Sequence, residues 1–373
     1  MLSKSDDYPI HQTPDPIAHP QTSDHNFYDR YWFNGYDRDA EFFFAVALGL
    51  YPNRRIMDAA FSFVRDGVQH SLHASRLAPN ERTETTVGPL SIEVATPMRE
   101  LRVRVAPNET GLECDLVFRA RTAAIEEART TQRRDTRVVM DMTRFTQLGR
   151  WEGRLGVNGI ASDVRSDRSY GTRDRSWGVR PVGEPEAGPP ASAPPGICWL
   201  WAPTHFDDLC THAGQFQHPD GTPWFSDAMI VPAYDSLEDL PGVQDPALRH
   251  LDHFRPSLRF EPGTRFVSHA DLDLRSEDGE HLEISLDPIL RFQMLGIGYL
   301  HPEWGHGYWK GETALGGESW KLSDVDPSLL QHQHVQQLCR ARMGEREGIG
   351  VLEQLILGPH AVYGFEEFLD PAR

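Results

Sequence analysis

The sequence predicts an all-β protein made of two antiparallel β-barrels or strongly curved sheets. Short segments of alternating apolar and polar residues, bounded by Pro, Gly or Asn, recur along most of the 373-residue chain. The 31 Gly and 28 Pro favour many turns, and helical periodicity is scarce in the first half. A chain of this length exceeds one typical core, so two domains are expected.

The first barrel is predicted over residues 25–180, after a polar, Pro-rich lead-in over residues 1–24. The aromatic run at 41–52 predicts a buried strand, and Asp66-Gly67 marks a hairpin turn before its partner strand. Alternation is clearest at 100–105, where apolar residues alternate with arginines. This half is therefore expected to be a meander of short strands.

A Pro-rich linker is predicted at residues 181–196, which contain six prolines, three glycines and no aromatic residue. Residues 197–373 are then predicted to form the second barrel, starting with an aromatic strand at 197–208. Hairpin turns are expected at Asp220-Gly221 and Asp278-Gly279. The two halves therefore show the same pattern.

One short C-terminal helix is predicted over residues 328–343, with Asp326 as N-cap and Pro327 at the first helical position. A Gly-x-Trp-x-Gly motif occurs at 149–153 and again at 307–311. The recurrence indicates an internal duplication. Small barrels of this kind enclose a cavity that can hold one small ligand.

Charge and cysteine content exclude several classes of protein. A formal net charge of −18 repels phosphate backbones and anionic membranes, so neither nucleic acid nor a membrane is an expected partner. The four cysteines are far apart and form no CxxC pair, which excludes a disulfide framework and a zinc knuckle. No segment approaches ~18 apolar residues and the N-terminus resembles no signal peptide, so a cytoplasmic location without membrane insertion is expected.

Signatures of dinucleotide sites, P-loops, nucleophile elbows and zinc proteases are missing from the sequence. No cofactor and no metal are therefore expected. The expected partner is an apolar small molecule, and homo-oligomerisation is left open.

The densest group of chemically capable residues is 171–180, which holds three arginines, one aspartate and one tryptophan. In a strand, Asp174 and Ser176 would lie on one face, and Arg175 and Trp177 on the other. Asp174 is a candidate catalytic acid, with Trp177 and Arg175 as candidate substrate-binding residues. The structural alternative pairs Asp174 with a neighbouring arginine. Because nearby arginine lowers a carboxyl pKa, burial would have to outweigh it for acid catalysis near neutral pH.

A second group lies at 299–309, where two histidines and a glutamate stand among four aromatic residues. Titratable groups among aromatic rings suit proton transfer on an apolar substrate. His301 and His306 are candidate catalytic residues, and Tyr299 and Trp304 are candidate substrate-binding residues. The histidines are five positions apart, a spacing that suits neither one helix face nor one strand face, so a metal site is not favoured.

The aromatic strand at 197–208 contributes a third candidate catalytic residue, His205, and a candidate substrate-binding residue, Trp201. A lone strand histidine also fits a purely structural role. His332 and His334 flank one glutamine on the polar side of the predicted helix, where surface positions are expected.

These motifs resemble the tandem lipocalin-type family that contains carotenoid 1,2-hydratase (hydroxyneurosporene synthase) and AttH-like proteins. The matching segments are Gln-Leu-Gly-Arg-Trp-Glu-Gly at 147–153, Gly-x-Arg-Asp-x-Ser-Trp-Gly at 171–178, the aromatic strand running to 208, and the closing Trp-rich segment. The resemblance implies two lipocalin-like barrels with an apolar pocket in or between them. It also implies cofactor-free hydration, dehydration or cyclisation of isoprenoid- or polyketide-like molecules. It places Asp174, Trp177 and His205 in the matching motifs.

Three functions remain open at this point. A cofactor-independent hydratase, lyase, isomerase or cyclase would use the titratable residues as acids and bases, with tryptophan rings stabilising developing positive charge. A carrier of a lipophilic ligand would use the same aromatic residues for shape and burial alone. A structural protein would use them only to fill two cores.

Overall fold

The computed structural model describes residues 1–184 and 196–373, which form two antiparallel β-sheets joined by loops and short 3-10 helices. This confirms the predicted all-β class with two tandem lipocalin-like units. The predicted linker at 181–196 lies largely outside the described residues. Each of the three hairpin turns predicted at an Asp-Gly pair joins two strands of the structure. At the first of them, Asp66 and Gly67 both have positive φ (49° and 74°), as a two-residue hairpin turn of this type requires.

The first sheet has 14 strands. In chain order they are β1 (Phe27–Asp37), β2 (Phe43–Tyr51), β3 (Ile56–Arg65), β4 (Val68–Leu77), β5 (Thr86–Val87), β6 (Leu90–Thr96), β7 (Glu100–Val105), β8 (Leu112–Ala120), β9 (Ile125–Glu126), β10 (Thr130–Arg134), β11 (Arg137–Val157), β12 (Ile160–Val164), β13 (Ser169–Val179) and, much later in the chain, β22 (Thr313–Lys321). Their order across the sheet is β22-β4-β3-β2-β1-β13-β11-β8-β7-β6-β5, and β9, β10 and β12 pair with β11.

The second sheet has 10 strands. They are β14 (Ile197–Trp201), β15 (Thr204–His205), β16 (Leu209–Gln217), β17 (Pro223–Pro232), β18 (Arg249–His250), β19 (His253–Phe260), β20 (Val267–Arg275), β21 (His281–Gln293), β23 (Val335–Met343) and β24 (Arg346–Leu357). Their order is β18-β17-β16-β14-β24-β23-β21-β20-β19, and β15 pairs with β16 and β24.

The 3-10 helices are η1 (Lys4–Asp7), η2 (Pro52–Arg54), η3 (Met294–Ile297), η4 (Leu322–Asp324), η5 (Leu330–His332) and η6 (Ala361–Tyr363). The longest has four residues, and within the described ranges no helix is long and apolar enough to cross a membrane.

The prediction of a helix over residues 328–343 is wrong. These residues form η5 and then strand β23, in which seven of nine residues are buried. Cys339 contributes to the core of the second sheet and Leu338 to a cluster shared with the first sheet. Because both faces of β23 are buried, its apolar residues do not alternate and their spacing imitates a helix. Asp326 does cap a turn, since its Oδ1 accepts the Ser328 N–H at 2.8 Å.

The two Gly-x-Trp-x-Gly segments are not equivalent positions of a repeat. Residues 149–153 lie within β11, where Trp151 is fully buried in the core of the first sheet. Residues 307–311 lie in the loop before β22, where Trp309 is half exposed.

A third apolar cluster holds the two sheets together. Trp32 of β1 meets Trp201 of β14 edge to face, with ring centroids 5.5 Å apart, and Phe43 of β2 stacks on Phe292 of β21 at 5.0 Å. Aromatic pairs of this kind contribute about 0.5–1.5 kcal/mol each beyond their buried area. Strands β1, β2 and β13 therefore have one face in the core of the first sheet and the other face against the second sheet. Polar residues on the face that meets the second sheet lie in the interior of the molecule.

Candidate active site between the two sheets

The register of β13 with its two neighbours places Asp174 on the face that meets the second sheet. Asp174 lies opposite Trp32 on β1 and Thr146 on β11. The next pair of positions on the same face brings Arg30 and Arg144 alongside. Directly opposed residues of antiparallel strands share one face. One carboxyl group, two guanidinium groups and an indole ring are thus collected at the interface.

Asp174 has the properties of a proton donor. It is half-buried and accepts no hydrogen bond from any residue in the two described ranges. Burial raises its pKa from 3.8 to about 6, although the charges of Arg144 and Arg30 lower it. Burial therefore does outweigh the arginines, which is the condition that the sequence leaves open. An acid with a pKa near 6 keeps a usable protonated fraction near neutral pH.

Arg30 lies beside Asp174 and is almost completely buried, with 3% of its surface exposed. Its Nη1 donates to the Tyr299 hydroxyl at 2.7 Å, and its guanidinium carbon lies 4.9 Å from the Tyr299 ring centroid. Its Nε and Nη2 donate to no atom of the described residues. A buried charged donor without a partner is costly, so its retention points to a site that receives something else.

Tyr299 and His306 stand on the loop between η3 and β22. The Tyr299 ring contacts the His306 ring at 4.6 Å and the His334 ring at 4.5 Å, both edge to face. Burial, followed by the charges of Arg30 and Arg180, holds the pKa of His306 well below its usual value. Its Nε2 lies 2.8 Å from the Ile297 carbonyl oxygen and donates to it, which leaves the Nδ1 lone pair to accept a proton. His306 is therefore a neutral candidate base, connected to Arg30 through Tyr299.

Glu353 of β24 is the residue of the second sheet that lies at the interface. It accepts hydrogen bonds from Trp199 Nε1 at 2.9 Å, His334 Nε2 at 2.8 Å and Gln336 Nε2 at 2.6 Å. Gln336 in turn accepts from Asn34 Nδ2 of β1 at 3.1 Å, which ties the two sheets together. Burial alone would raise the pKa of Glu353, but these donors and the charge of His334 hold it below its usual value. Glu353 is thus a fixed anion that organises its neighbours.

A second buried carboxylate, Glu127, neutralises Arg144. Arg144 Nε donates to it at 2.8 Å, Thr146 Oγ1 donates at 2.6 Å, and His212 Nε2 lies 3.3 Å away. Burial opposes ionisation of Glu127, but the charge of Arg144 and its hydrogen bonds hold the Glu127 pKa well below the usual range. Trp201 Nε1 donates to His212 Nε2 at 3.0 Å, which fixes the indole that faces Trp32.

His205 lies apart from this group. Its Nε2 donates to the Gly171 carbonyl oxygen at 3.2 Å, and its Nδ1 lies 3.6 Å from the Cys210 thiol. Burial, followed by the charge of Arg121, holds the His205 pKa well below its usual value. The ring has a partner at both nitrogens and connects β15 to its neighbours.

Arg175 and Trp177 lie on the opposite face of β13 from Asp174, as strand alternation predicts. Arg175 Nη1 donates to Asp29 at 2.5 Å and its guanidinium lies 4.0 Å over the Tyr31 ring. Trp177 is 40% exposed. The structure therefore does not bring these two residues together with Asp174.

His301 and Trp304 face the first sheet instead of the interface site. Nε2 of His301 and Nε2 of His73 each lie 3.0 Å from Oε1 of Glu318, and Trp304 stacks on His73 at 5.5 Å. Glu318 belongs to β22 and His73 to β4, so these contacts fasten the loop that carries Tyr299 to the edge of the first sheet.

The same three residues, His73, His301 and Glu318, place potential metal ligands within 4.8 Å of one another. However, Nδ1 of His301 accepts the N–H groups of Glu303 and Trp304 at 3.0 and 2.9 Å, so its proton resides on Nε2. A metal would need the lone pair of that nitrogen. The hydrogen bonding therefore favours a carboxylate that accepts two imidazole N–H groups over a metal centre.

Glu318→Gln is expected to lower the free energy of unfolding by about 1–2 kcal/mol, because two charge-assisted hydrogen bonds become neutral ones. Chemical denaturation at pH 7 measures the change. Glu109→Gln removes the same charge from an exposed neighbour in the same groove and is the matched control. Equal stability of the two variants would contradict a fastening role for Glu318.

The sequence patterns did not identify several residues of the interface site. Arg30 lies within an aromatic strand and Glu353 within an apolar strand. A charged residue in such a strand is a sequence signal for a buried functional group, and it could have identified both residues. The surface position that the sequence predicts for His334 is wrong, since only 3% of this residue is exposed.

The fold defines the chain as a tandem lipocalin-like β protein, and this confirms the resemblance seen in the sequence. It is similar to kievitone hydratase from Nectria haematococca, with 14% identity, a TM-score of 0.53 and 88% of each chain covered. It is also similar to a putative AttH from Nitrosomonas europaea, with 11% identity, a TM-score of 0.53, and 93% of this chain and 98% of that chain covered. The structure of CghA with Sch210972 shows 12% identity, a TM-score of 0.52 and 89% of each chain covered.

Residues 2–366 match a family described as Family of unknown function (DUF8625). The chain belongs to this family. Among curated proteins, none matches the sequence.

Proposed function

We propose that this protein is an enzyme that hydrates, dehydrates, isomerises or cyclises an apolar small molecule by acid–base chemistry at the interface of its two sheets. Asp174 is the observation that carries the proposal. It is a carboxyl group with a pKa of about 6 that has no hydrogen-bond partner in the described residues and stands among buried arginines and aromatic rings.

The surroundings of Asp174 support this chemistry. The Trp32, Trp201 and Tyr299 rings supply apolar surface, and His306 is a neutral imidazole with a free nitrogen. Raised carboxyl and lowered imidazole pKa values in one place are typical of acid–base sites. Similarity in fold to a protein described as a hydratase agrees with the proposal.

In a hydration, the Asp174 carboxyl group gives its proton to one carbon of a double bond. The oxygen of a water molecule bonds to the other carbon, and His306 accepts the proton that this water loses. Transfer of that proton back to Asp174 restores both groups, and the reverse sequence is a dehydration. General acid–base groups of this kind contribute typically 10²–10⁴-fold to rate.

Incubation with the lipophilic extract of the cells that naturally make the protein, followed by mass spectrometry, tests the proposal. We expect a compound to be converted to a product that differs by one water, or to an isomer with a new retention time. Heat-inactivated protein is the control. A compound that is bound and recovered unchanged would indicate a carrier, and a protein that neither binds nor converts any compound would contradict the proposal.

A further inference from the structure

The charges at the interface are not balanced. Arg144 is neutralised by Glu127, and Glu353 is matched by His334 and two further donors. Arg30, in contrast, forms no ion pair within residues 1–184 and 196–373, and Asp174 reaches it only through space. Asp58, a second buried carboxyl group, also acts on Arg30 only through space, so this buried positive charge has no carboxylate at ion-pair distance among the described residues.

Arg30 also has unused hydrogen-bonding capacity. Its Nε and Nη2 carry three N–H groups, and none of them donates a hydrogen bond to any of the residues that the structure describes. The Tyr299 hydroxyl oxygen accepts from Nη1, so the Tyr299 O–H remains free to donate to another group. Planar N–H groups beside a hydroxyl donor form an arrangement that suits an oxygen bearing negative charge.

The sign of this charge restricts the reaction. A carbocation that develops next to Asp174 would be repelled by Arg30, whereas an enolate or phenolate oxygen would be stabilised. Aromatic rings alone would favour a carbocation, which is what the sequence suggests. The buried guanidinium reverses that preference.

Building on the proposed function, we propose that the substrate presents a conjugated carbonyl, enol or phenol oxygen to Arg30 and Tyr299, and that Asp174 exchanges a proton with a carbon conjugated to that oxygen. An unfunctionalised polyene lacks this oxygen and is not a substrate.

The step balances for an α,β-unsaturated carbonyl compound. Water bonds to the β-carbon and loses a proton to His306, while the electron pair of the double bond moves to the carbonyl oxygen and forms an enolate held by Arg30. Asp174 then protonates the α-carbon, and the carbonyl group is restored. The proton on His306 returns to Asp174 through solvent, so one water has been added and no oxidant or reductant is consumed.

Two coumarins test the inference, because 7-hydroxycoumarin can become a phenolate that absorbs at a longer wavelength, and 7-methoxycoumarin cannot. We expect the protein to bind 7-hydroxycoumarin more tightly than 7-methoxycoumarin. We also expect binding to lower the pKa of the 7-hydroxyl group by at least about one unit, a tenfold change in its ionisation constant. Arg30→Gln should abolish the shift, and Arg30→Lys should retain part of it. Arg129→Gln, which removes an exposed arginine, is the matched control.

Normal ionisation of the bound 7-hydroxycoumarin, unchanged in Arg30→Gln, would overturn the inference. The proposed function would still hold if the wild-type protein converted an extract compound and the Asp174→Asn variant did not. Failure of both coumarins to bind at millimolar concentration would also overturn the inference, and the extract assay then decides the proposed function separately. The wild-type spectrum is itself decisive, so the test does not depend on the folding of a variant.

Discussion

Asp174→Asn is expected to slow turnover strongly and, at the same time, to stabilise the fold above pH 6. The amide retains the shape of the side chain but has no proton to give, so we expect kcat to fall by about 10²–10⁴-fold. In the wild-type protein, activity that needs the protonated carboxyl group should decline as the pH rises through about 6.

The stability gain follows from the direction of the pKa shift. The Asp174 pKa is about 6 in the folded chain against 3.8 for an unperturbed group, so the folded state binds more protons than the unfolded state between these values. Stability therefore falls as the pH rises from about 4 to about 6 and stays lower above that range. Two pKa units correspond to an upper limit of about 3 kcal/mol, reduced by any solvent that reaches the half-buried carboxylate. Asn removes this cost.

Thermal unfolding of wild type and Asp174→Asn at pH 4 and pH 8 measures the effect. The variant should have the higher Tm at pH 8, and the difference should shrink at pH 4. Asp163→Asn changes the net charge equally at an exposed position and should alter neither Tm nor turnover. A variant that is less stable than wild type at pH 8 would show that the ionised Asp174 is well paired and is not poised as an acid.

Arg144→Met is expected to lower the free energy of unfolding by about 3–5 kcal/mol, because Glu127 remains as a buried carboxylate without its main partner. Glu127 has only 1% of its side chain exposed, and Arg144 contributes the largest favourable charge to it. The loss of Arg144 also removes the strongest charge that lowers the Asp174 pKa. We therefore expect the pH limit of activity to move upward.

A double-mutant cycle separates the pair from its surroundings. Glu127→Gln in the Arg144→Met background should recover part of the lost stability, because the stranded charge is then absent. Arg129→Met breaks an ion pair in which the arginine is 67% exposed, and should cost less than about 1 kcal/mol. A double variant no more stable than Arg144→Met alone would contradict the assignment of the loss to an uncompensated charge.

Local patterns identify strands and faces but not which faces meet. Alternation along β13 correctly separates Asp174 from Trp177, and the Asp-Gly pairs mark real hairpins. The role of Arg30 depends on the second sheet covering β1, which is a non-local contact that no spacing encodes. The same reason explains the helix wrongly predicted over 328–343.

Electrostatic effects are equally non-local. The sequence shows that arginines stand near Asp174, but the sign of its pKa shift depends on how much water the assembled sheets exclude. Tyr299 and His306 are found from their local composition, yet their partner, Arg30, is 269 residues from Tyr299 in the chain. Neither signal indicates that the Arg30 guanidinium contacts Tyr299.

Strand β22 has a consequence for how the molecule assembles. It follows the whole β14–β21 region in the chain but pairs with β4 at the edge of the first sheet, so the polypeptide returns to the half it has left. Until this return, the edge of β4 exposes unpaired backbone groups, which is a hazard for intermolecular strand exchange during synthesis. The loop just before β22 also carries Tyr299 and His306. The proposed site is therefore complete only after β22 has paired with β4, and a chain cut between its halves would yield two pieces that each lack part of that site.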